Sequence, residues 1–314
     1  MRATAPTRRE IWVRLLLYPG HTLPTAAAPV AVGVGLAIHD QVFAFLPALL
    51  AFIASWLIHV GGVFADNHEL LRKHPGLPEH PELLQALVNG TLTLNELKWA
   101  IAACFALPVL IAPYMFRIGG LPALAIGLVG ALASAFYAAG PWAYARRGWA
   151  DAVFLLMFGV VAVAGTYYAQ MVRVHGAPAD GSAVWRALPL SVFVIGLPVG
   201  ALVSNVLVID DIRDRKFDAQ KGWRTTAVRF GLAGSRTEYV ALSIFAYLAP
   251  FWFWFGLGYS AWVLLPLLTL PFAYHIGAAV FAKEQTEDLL HMTPRASLLA
   301  FLWSVLLAIG VALS

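Results

Sequence analysis

Nine long apolar runs constrain this chain more than any other feature. They lie at approximately 22–38, 42–64, 98–116, 120–140, 150–172, 187–209, 238–257, 260–282 and 295–313. A helix that crosses a bilayer needs roughly 20 consecutive, mostly apolar residues. The runs are rich in Ala, Leu and Gly and lack the period-2 alternation of a barrel strand. Pro29, Pro108, Pro198 and Pro266 fall inside them, and transmembrane helices tolerate proline better than soluble ones do. Composition agrees, because 60% of the residues are hydrophobic and only 12% are charged. A soluble domain carries about twice that charge, so a water-soluble globule and a disordered chain are both excluded. The expected fold class is all-α: a polytopic membrane protein of nine helices, read as one domain over residues 1–314. Residues 1–20 alternate basic and apolar side chains (Arg8, Arg9, Ile11, Trp12, Arg14, Leu15). They read as an amphipathic surface segment rather than a secretory signal.

The few charges are unevenly placed. With nine spans, 18 of the 21 Lys and Arg residues fall on the side of the N-terminus, leaving Arg117, Arg173 and Arg186 on the other. That bias predicts a cytoplasmic N-terminus, an external C-terminus and a place in the cytoplasmic membrane. It also explains the net charge of +4 without nucleic acid as a partner. Of the 17 carboxylates, 15 lie on the same side, with Asp40 and Asp180 the exceptions. Topology does not demand this, so a polar site is expected there. The lone cysteine, Cys104, excludes an intramolecular disulfide and reads as a small apolar residue within a span.

Two acidic clusters follow even-numbered spans. After the sixth, Asp210, Asp214 and Asp218 are spaced i, i+4, i+8 and share one helical face. Three like charges on one face call for a cation, and Mg2+ suits hard oxygen ligands shared with substrate phosphates. Arg213, Arg215, Lys216, Lys221, Arg224 and Arg229 are interleaved or follow, and carboxylates with Arg and Lys compose a diphosphate site. A solvated, charge-balanced loop is the competing reading. After the second span, Asp66 and Glu69 lie at i, i+3, beside Asn67, Arg72 and Lys73. His59, His68, His74 and His80 fit no zinc spacing and read as loop or packing residues. No phosphate loop of the GxxxxGK[ST] type and no GxSxG elbow is present. The run Phe251-Trp252-Phe253-Trp254-Phe255 reads as an interfacial aromatic belt.

These motifs together resemble the UbiA superfamily of intramembrane prenyltransferases, most closely its branch that prenylates 1,4-dihydroxy-2-naphthoate in menaquinone synthesis. The resemblance is carried by Pro19-Gly20-His21-Thr22-Leu23-Pro24 with Ala28-Pro29-Val30. It continues through the loop from Phe136-Tyr137 to Gly140-Pro141 and from Tyr144 to Arg146-Arg147-Gly148, and through Gly165-Thr166-Tyr167-Tyr168-Ala169-Gln170. It ends with the aspartate motif Asp210–Asp218 and Thr226-Ala227-Val228-Arg229-Phe230-Gly231. The resemblance implies a central cavity with two aspartate-rich motifs at its cytoplasmic rim. Its partners would be an isoprenyl diphosphate, an aromatic acceptor and membrane lipid, with Mg2+ as cofactor.

By the same resemblance, Asp66, Glu69, Asp214 and Asp218 bind the metal–diphosphate, with Asp210 as an added ligand. Arg72, Arg146, Arg213, Lys221 and Arg224 bind diphosphate oxygens. Tyr137 and Tyr144 line the reaction chamber, and Asn67 and Asn205 help to orient the site. The first motif departs from the family form NxxNDxxD. Gly62 and Ala65 stand in place of its asparagines, Glu69 in place of its last aspartate, and Gln85 in place of a downstream arginine. That departure leaves a UbiA-type terpene cyclase, acting on a prenyl diphosphate without an acceptor, as the alternative expectation.

Overall fold

The computed structural model describes residues 7–16, 21–74, 86–137, 140, 142–177, 188–283 and 286–314. Pro19-Gly20, the other ends of the N-terminal segment, His80, Gln85, Pro141, Asp180 and Arg186 lie outside the described residues. Among those described, the structure is helical and holds no strand. Helix α1 (Arg8–Leu16) packs against the segments that carry Phe64, Leu71 and Leu97. There Ile11 is buried, Trp12 meets Phe64 edge-on at 5.8 Å, and Arg8 pairs with Glu96.

Among the described residues, eight helices are long and apolar enough to cross a membrane. They are α2 (Thr22–His39), α3 (Phe45–Lys73), α4 (Leu94–Ala135), α5 (Ala150–His175), α6 (Leu190–Gln220), α7 (Thr226–Leu257), α8 (Ala261–Ala282) and α9 (Met292–Ala312). Helix α4 opens with a capping box, in which the Thr93 hydroxyl accepts from the Glu96 amide and the Glu96 carboxylate accepts from the Thr93 amide.

The expected third span, 98–116, and most of the fourth, 120–140, fall within α4. Its 42 residues would extend about 63 Å if straight, twice a bilayer core. They do not run straight. Phe105 abuts Gly61 of α3, while Ser134 abuts the adjacent Gly62 and donates to the Ile58 carbonyl at 2.6 Å. Residues 105 and 134 would be about 43 Å apart in a straight helix. The chain therefore folds back at Gly120, whose φ of 62° and ψ of −156° leave the helical region and favour a residue without Cβ.

Helix α6 is the axis of the bundle, and its buried residues lie on every side. Against it packs α5, which relaxes into π-helical turns at Leu155–Val161. The contact is made by backbone. A Cβ on Gly196 would fall on the Gly159 carbonyl, and one on Gly200 on the Leu155 carbonyl. Such small-residue seams suit a membrane, where helix association relies on close packing. The largest core cluster joins Leu36, Tyr168, Ile195, Leu202, Phe253 and Trp303. In the aromatic run of α7, Phe253 is buried in that core, while Phe251, Trp252 and Phe255 are exposed outward, as a belt requires. Cys104 is buried, as expected.

Both acidic clusters ride on helices that continue past the apolar runs. Helix α3 extends nine residues beyond the expected end of its span, and α6 extends eleven. The carboxylates therefore have rigid backbones, not loops.

Candidate active site

A cavity of about 790 Å³ lies between α2, α3, α4, α5 and α6. One end is polar. There α3 contributes Asp66 and Asn67, and α6 contributes Asp210, Asp211, Arg213, Asp214 and Asp218. Asp66 is within electrostatic reach of Asp214, Asp218, Lys221 and Arg146. The rest of the wall is mostly apolar. Where α4 forms it, Val109, Leu121 and Leu128 line the cavity and are exposed.

The expected face of α6 is present, with one addition. Arg213, 7% exposed, lies between two of its carboxylates, 2.5 Å from Asp210 and 2.5 Å from Asp214. Thr293 of α9 completes the group, donating to Asp210 at 2.5 Å and accepting from Arg213 at 3.1 Å. Asp218 pairs with Lys221 at 3.0 Å. The Lys221 ammonium also sits 4.0 Å from the centre of the Trp223 ring, which Arg146 faces at 5.7 Å. Trp223 lines both the main cavity and a side pocket of about 120 Å³ that holds Glu69, Lys73, Arg146 and Lys221.

Asp66 lines both cavities, whereas Glu69 lines the side pocket alone. It accepts from Arg72 at 3.1 Å, pairs with Lys73 at 2.5 Å and meets Arg146 at 3.4 Å. Three cations surround it, and it lines the side pocket rather than the main cavity. Arg146 is carried on a tight turn at Ala145–Arg147 closed by Gly148, whose φ is 74°. A Cβ on Gly148 would strike the Arg224 carbonyl, and the Arg224 amide donates to the Arg146 carbonyl at 3.0 Å. Arg224 thus braces Arg146 through its backbone, while its own side chain is exposed and lines neither cavity.

Tyr137 and Tyr144 both line the main cavity and meet edge-on at 5.6 Å. Burial pushes both phenols well above their ordinary range, so they stay protonated and neutral. Asn67 donates to the Val63 carbonyl at 2.7 Å at the cavity wall. Asn205 faces away, donating to Ser243 at 2.9 Å and to the Tyr239 carbonyl at 3.2 Å on α7. It joins α6 to α7 and does not line the cavity.

Sequence reasoning missed Thr293, Trp223, Asp211 and the histidines of the cavity wall. Thr293 carries no local signal, since it is 83 residues from Asp210. Trp223 had one, being an aromatic inside the basic run from Lys221 to Arg224.

Among the described residues, no three His, Cys, Asp or Glu side chains close into a metal cage by themselves. The donor set at the polar end is nevertheless hard oxygen from two helices, with carboxylates already gripping cationic side chains. That fits Mg2+, which is usually held by one or two carboxylates while phosphates and water supply the rest.

Comparison with known proteins agrees. The model of the UbiA prenyltransferase family matches residues 26–305. A 1,4-dihydroxy-2-naphthoate octaprenyltransferase of Haemophilus influenzae is 27% identical over 301 residues, covering 92% of each chain. Among solved structures, a UbiA homolog from Aeropyrum pernix superposes with a TM-score of 0.67 at 19% identity, covering 95% of this chain and 98% of that one. A UbiA homolog from Archaeoglobus fulgidus bound to DMAPP and Mg2+ gives a TM-score of 0.57 at 18% identity, covering 95% and 99%. The match spans the helical bundle and both acid-bearing helices, and the chain belongs to the UbiA prenyltransferase family: it is a multi-pass integral membrane prenyltransferase.

Proposed function

We propose that the protein transfers a prenyl group from an isoprenyl diphosphate to 1,4-dihydroxy-2-naphthoate or a closely similar hydroxyarene, with Mg2+. The observation that carries this reading is the polarity of one cavity. Carboxylates and basic residues occupy one end, and an apolar wall leads from them to the exposed residues of α4. That is the shape of a diphosphate with a long apolar tail. The acceptor follows from relatives named for that naphthoate, which favour a transferase over an acceptor-free cyclase.

Asp66, Asp210, Asp214 and Asp218 would hold Mg2+. When bound, the metal neutralises charge that grows on the leaving diphosphate. Arg146, Arg213 and Lys221 supply fixed positive charge beside it, with Glu69 aligning Arg146 from the side pocket. The faces of Tyr137, Phe154 and Phe158 stabilise the allylic cation as the C–O bond opens. The apolar wall excludes water that would quench that cation.

The same reading makes residues 1–314 one domain in the cytoplasmic membrane, with its N-terminus on the cytoplasmic side. The fold-back of α4 supports nine crossings, and the bias of 18 among 21 basic residues supports the orientation.

Metal removal tests the site. Calorimetric titration of the purified protein with geranylgeranyl diphosphate is expected to lose about tenfold or more in affinity when EDTA replaces Mg2+, a change of about 1.4 kcal/mol or more. Equal affinity in both conditions would contradict a metal-bridged diphosphate.

A further inference from the structure

The proposed reaction leaves two histidines of the cavity unused. Six rings run along its wall in consecutive contact. Tyr144 meets Tyr137 at 5.6 Å, Tyr137 meets Phe154 at 5.5 Å, and Phe154 meets Phe158 at 5.2 Å. Phe158 meets His59 edge-on at 5.3 Å, and His59 meets His21 at 6.1 Å. All six line the cavity. The chain begins beside the carboxylates and ends in two imidazoles, of which His21 lies within electrostatic reach of Asp210 and Arg213.

Two features set these histidines apart from packing residues. The Nε2 atom of His59 is buried with no hydrogen-bond partner among the described residues. An orphaned buried nitrogen costs about 1–3 kcal/mol, and a ligand hydroxyl bonded to it would recover that cost. His21 is held in place with buried polar groups. Its carbonyl accepts from the Thr25 hydroxyl at 2.6 Å and from the Ser297 hydroxyl at 2.7 Å, which tie the start of α2 to α9.

Position supplies the role. His59 and Asp66 are seven residues apart on α3, which places them on nearly the same face and about 10 Å apart along its axis. A fused aromatic ring system fits that interval, lying against Phe154 and Phe158 with one end toward the diphosphate. The isoprenoid tail has no use for an imidazole and is accommodated by the apolar side along α4.

We infer that His59, buttressed by His21, binds the acceptor's hydroxyl group and takes up its proton during prenyl transfer. This rests on the transferase reading above. As a ring carbon of the hydroxyarene bonds to the first carbon of the prenyl group, the allylic C–O bond breaks and its electron pair leaves on the diphosphate. The hydroxyl's O–H pair moves into the ring, and its proton passes to the unprotonated nitrogen of His59. Loss of the acceptor's carboxylate as carbon dioxide from the substituted carbon then returns an electron pair to the ring and restores aromaticity, and His59 returns its proton to the oxygen.

The test separates binding from proton transfer. Wild-type protein, His59→Gln and His59→Phe are assayed with Mg2+, geranylgeranyl diphosphate and 1,4-dihydroxy-2-naphthoate, and diphosphate binding is titrated separately. Gln keeps a hydrogen-bonding group but is no base. His59→Gln is expected to lose roughly 100-fold in kcat, with the acceptor KM and the diphosphate affinity within about threefold of wild type. His59→Phe keeps the ring contacts and is expected to lose kcat and to raise the acceptor KM as well, again with normal diphosphate binding. Retention of wild-type kcat by His59→Gln overturns the inference, and so does parallel loss of diphosphate affinity in both variants, which marks a structural role. A wild-type protein that binds the diphosphate but does not prenylate the acceptor overturns the transferase reading itself, and the inference with it.

Discussion

Asp214→Asn and Asp218→Asn are each expected to lower kcat/KM by roughly 1,000-fold while leaving the helical bundle folded, since one well-placed electrostatic group is worth about 10²–10³ in rate. The amide is chosen over alanine for a structural reason. Arg213 is 7% exposed and pairs with Asp214 at 2.5 Å, and Lys221 pairs with Asp218 at 3.0 Å with its side chain 1% exposed. Truncating either acid would strip a partner from a buried cation, at a cost of about 3–5 kcal/mol that has nothing to do with catalysis. Asparagine keeps an acceptor oxygen for the cation and removes the charge. Glu69→Gln serves as the comparison. Glu69 already faces Arg72, Lys73 and Arg146 and lines only the side pocket. Its loss is expected to misalign Arg146 and lower activity by no more than about tenfold, the range of a partly exposed ion pair. The check is steady-state kinetics on each variant, with circular dichroism to show the helices intact. Equal losses at Asp214 and Glu69 would contradict the division of labour between the two cavities.

The second large effect is expected far from the chemistry. Gly196→Ala places a methyl group where the Gly159 carbonyl lies, and α5 and α6 must separate. Overpacking of this kind costs about 1–3 kcal/mol and sometimes more, and here the obstacle is backbone that cannot rotate away. The expected result is a loss of about 3 kcal/mol, read as a clear fall in the thermal midpoint of the purified protein. Activity should fall with it, because α6 carries every carboxylate from Asp210 to Asp218. Gly127→Ala is the control. Nothing lies within 4 Å of a Cβ there, and alanine is the better helix former, so the midpoint should hold or rise. A normal midpoint for Gly196→Ala would refute the close seam between α5 and α6.

The spans were legible because the bilayer makes the rule simple. A crossing segment must satisfy its own backbone, so length and apolarity mark it. Helix ends were less so. Helices α3 and α6 continue as charged helix beyond the lipid, where hydropathy stops reporting and packing takes over. The site was legible where its residues share one helix, as at Asp210, Asp214 and Asp218. It was not where partners meet across the fold. Glu69 and Arg146 are 77 residues apart, and no local spacing announces their pairing in the side pocket. His59 looked like a packing residue because its neighbours in sequence form no ligand pattern. The ring it meets, His21, is on another helix, and only the assembled cavity brings the two together.

Product analysis tests the central claim most directly. Purified protein in lipid nanodiscs is supplied with Mg2+ and radiolabelled geranylgeranyl diphosphate, with and without 1,4-dihydroxy-2-naphthoate, and the products are separated by chromatography. The expected result is a prenylated naphthol formed together with diphosphate, and no turnover when the acceptor is withheld. A hydrocarbon released at the same rate with or without the acceptor would contradict it.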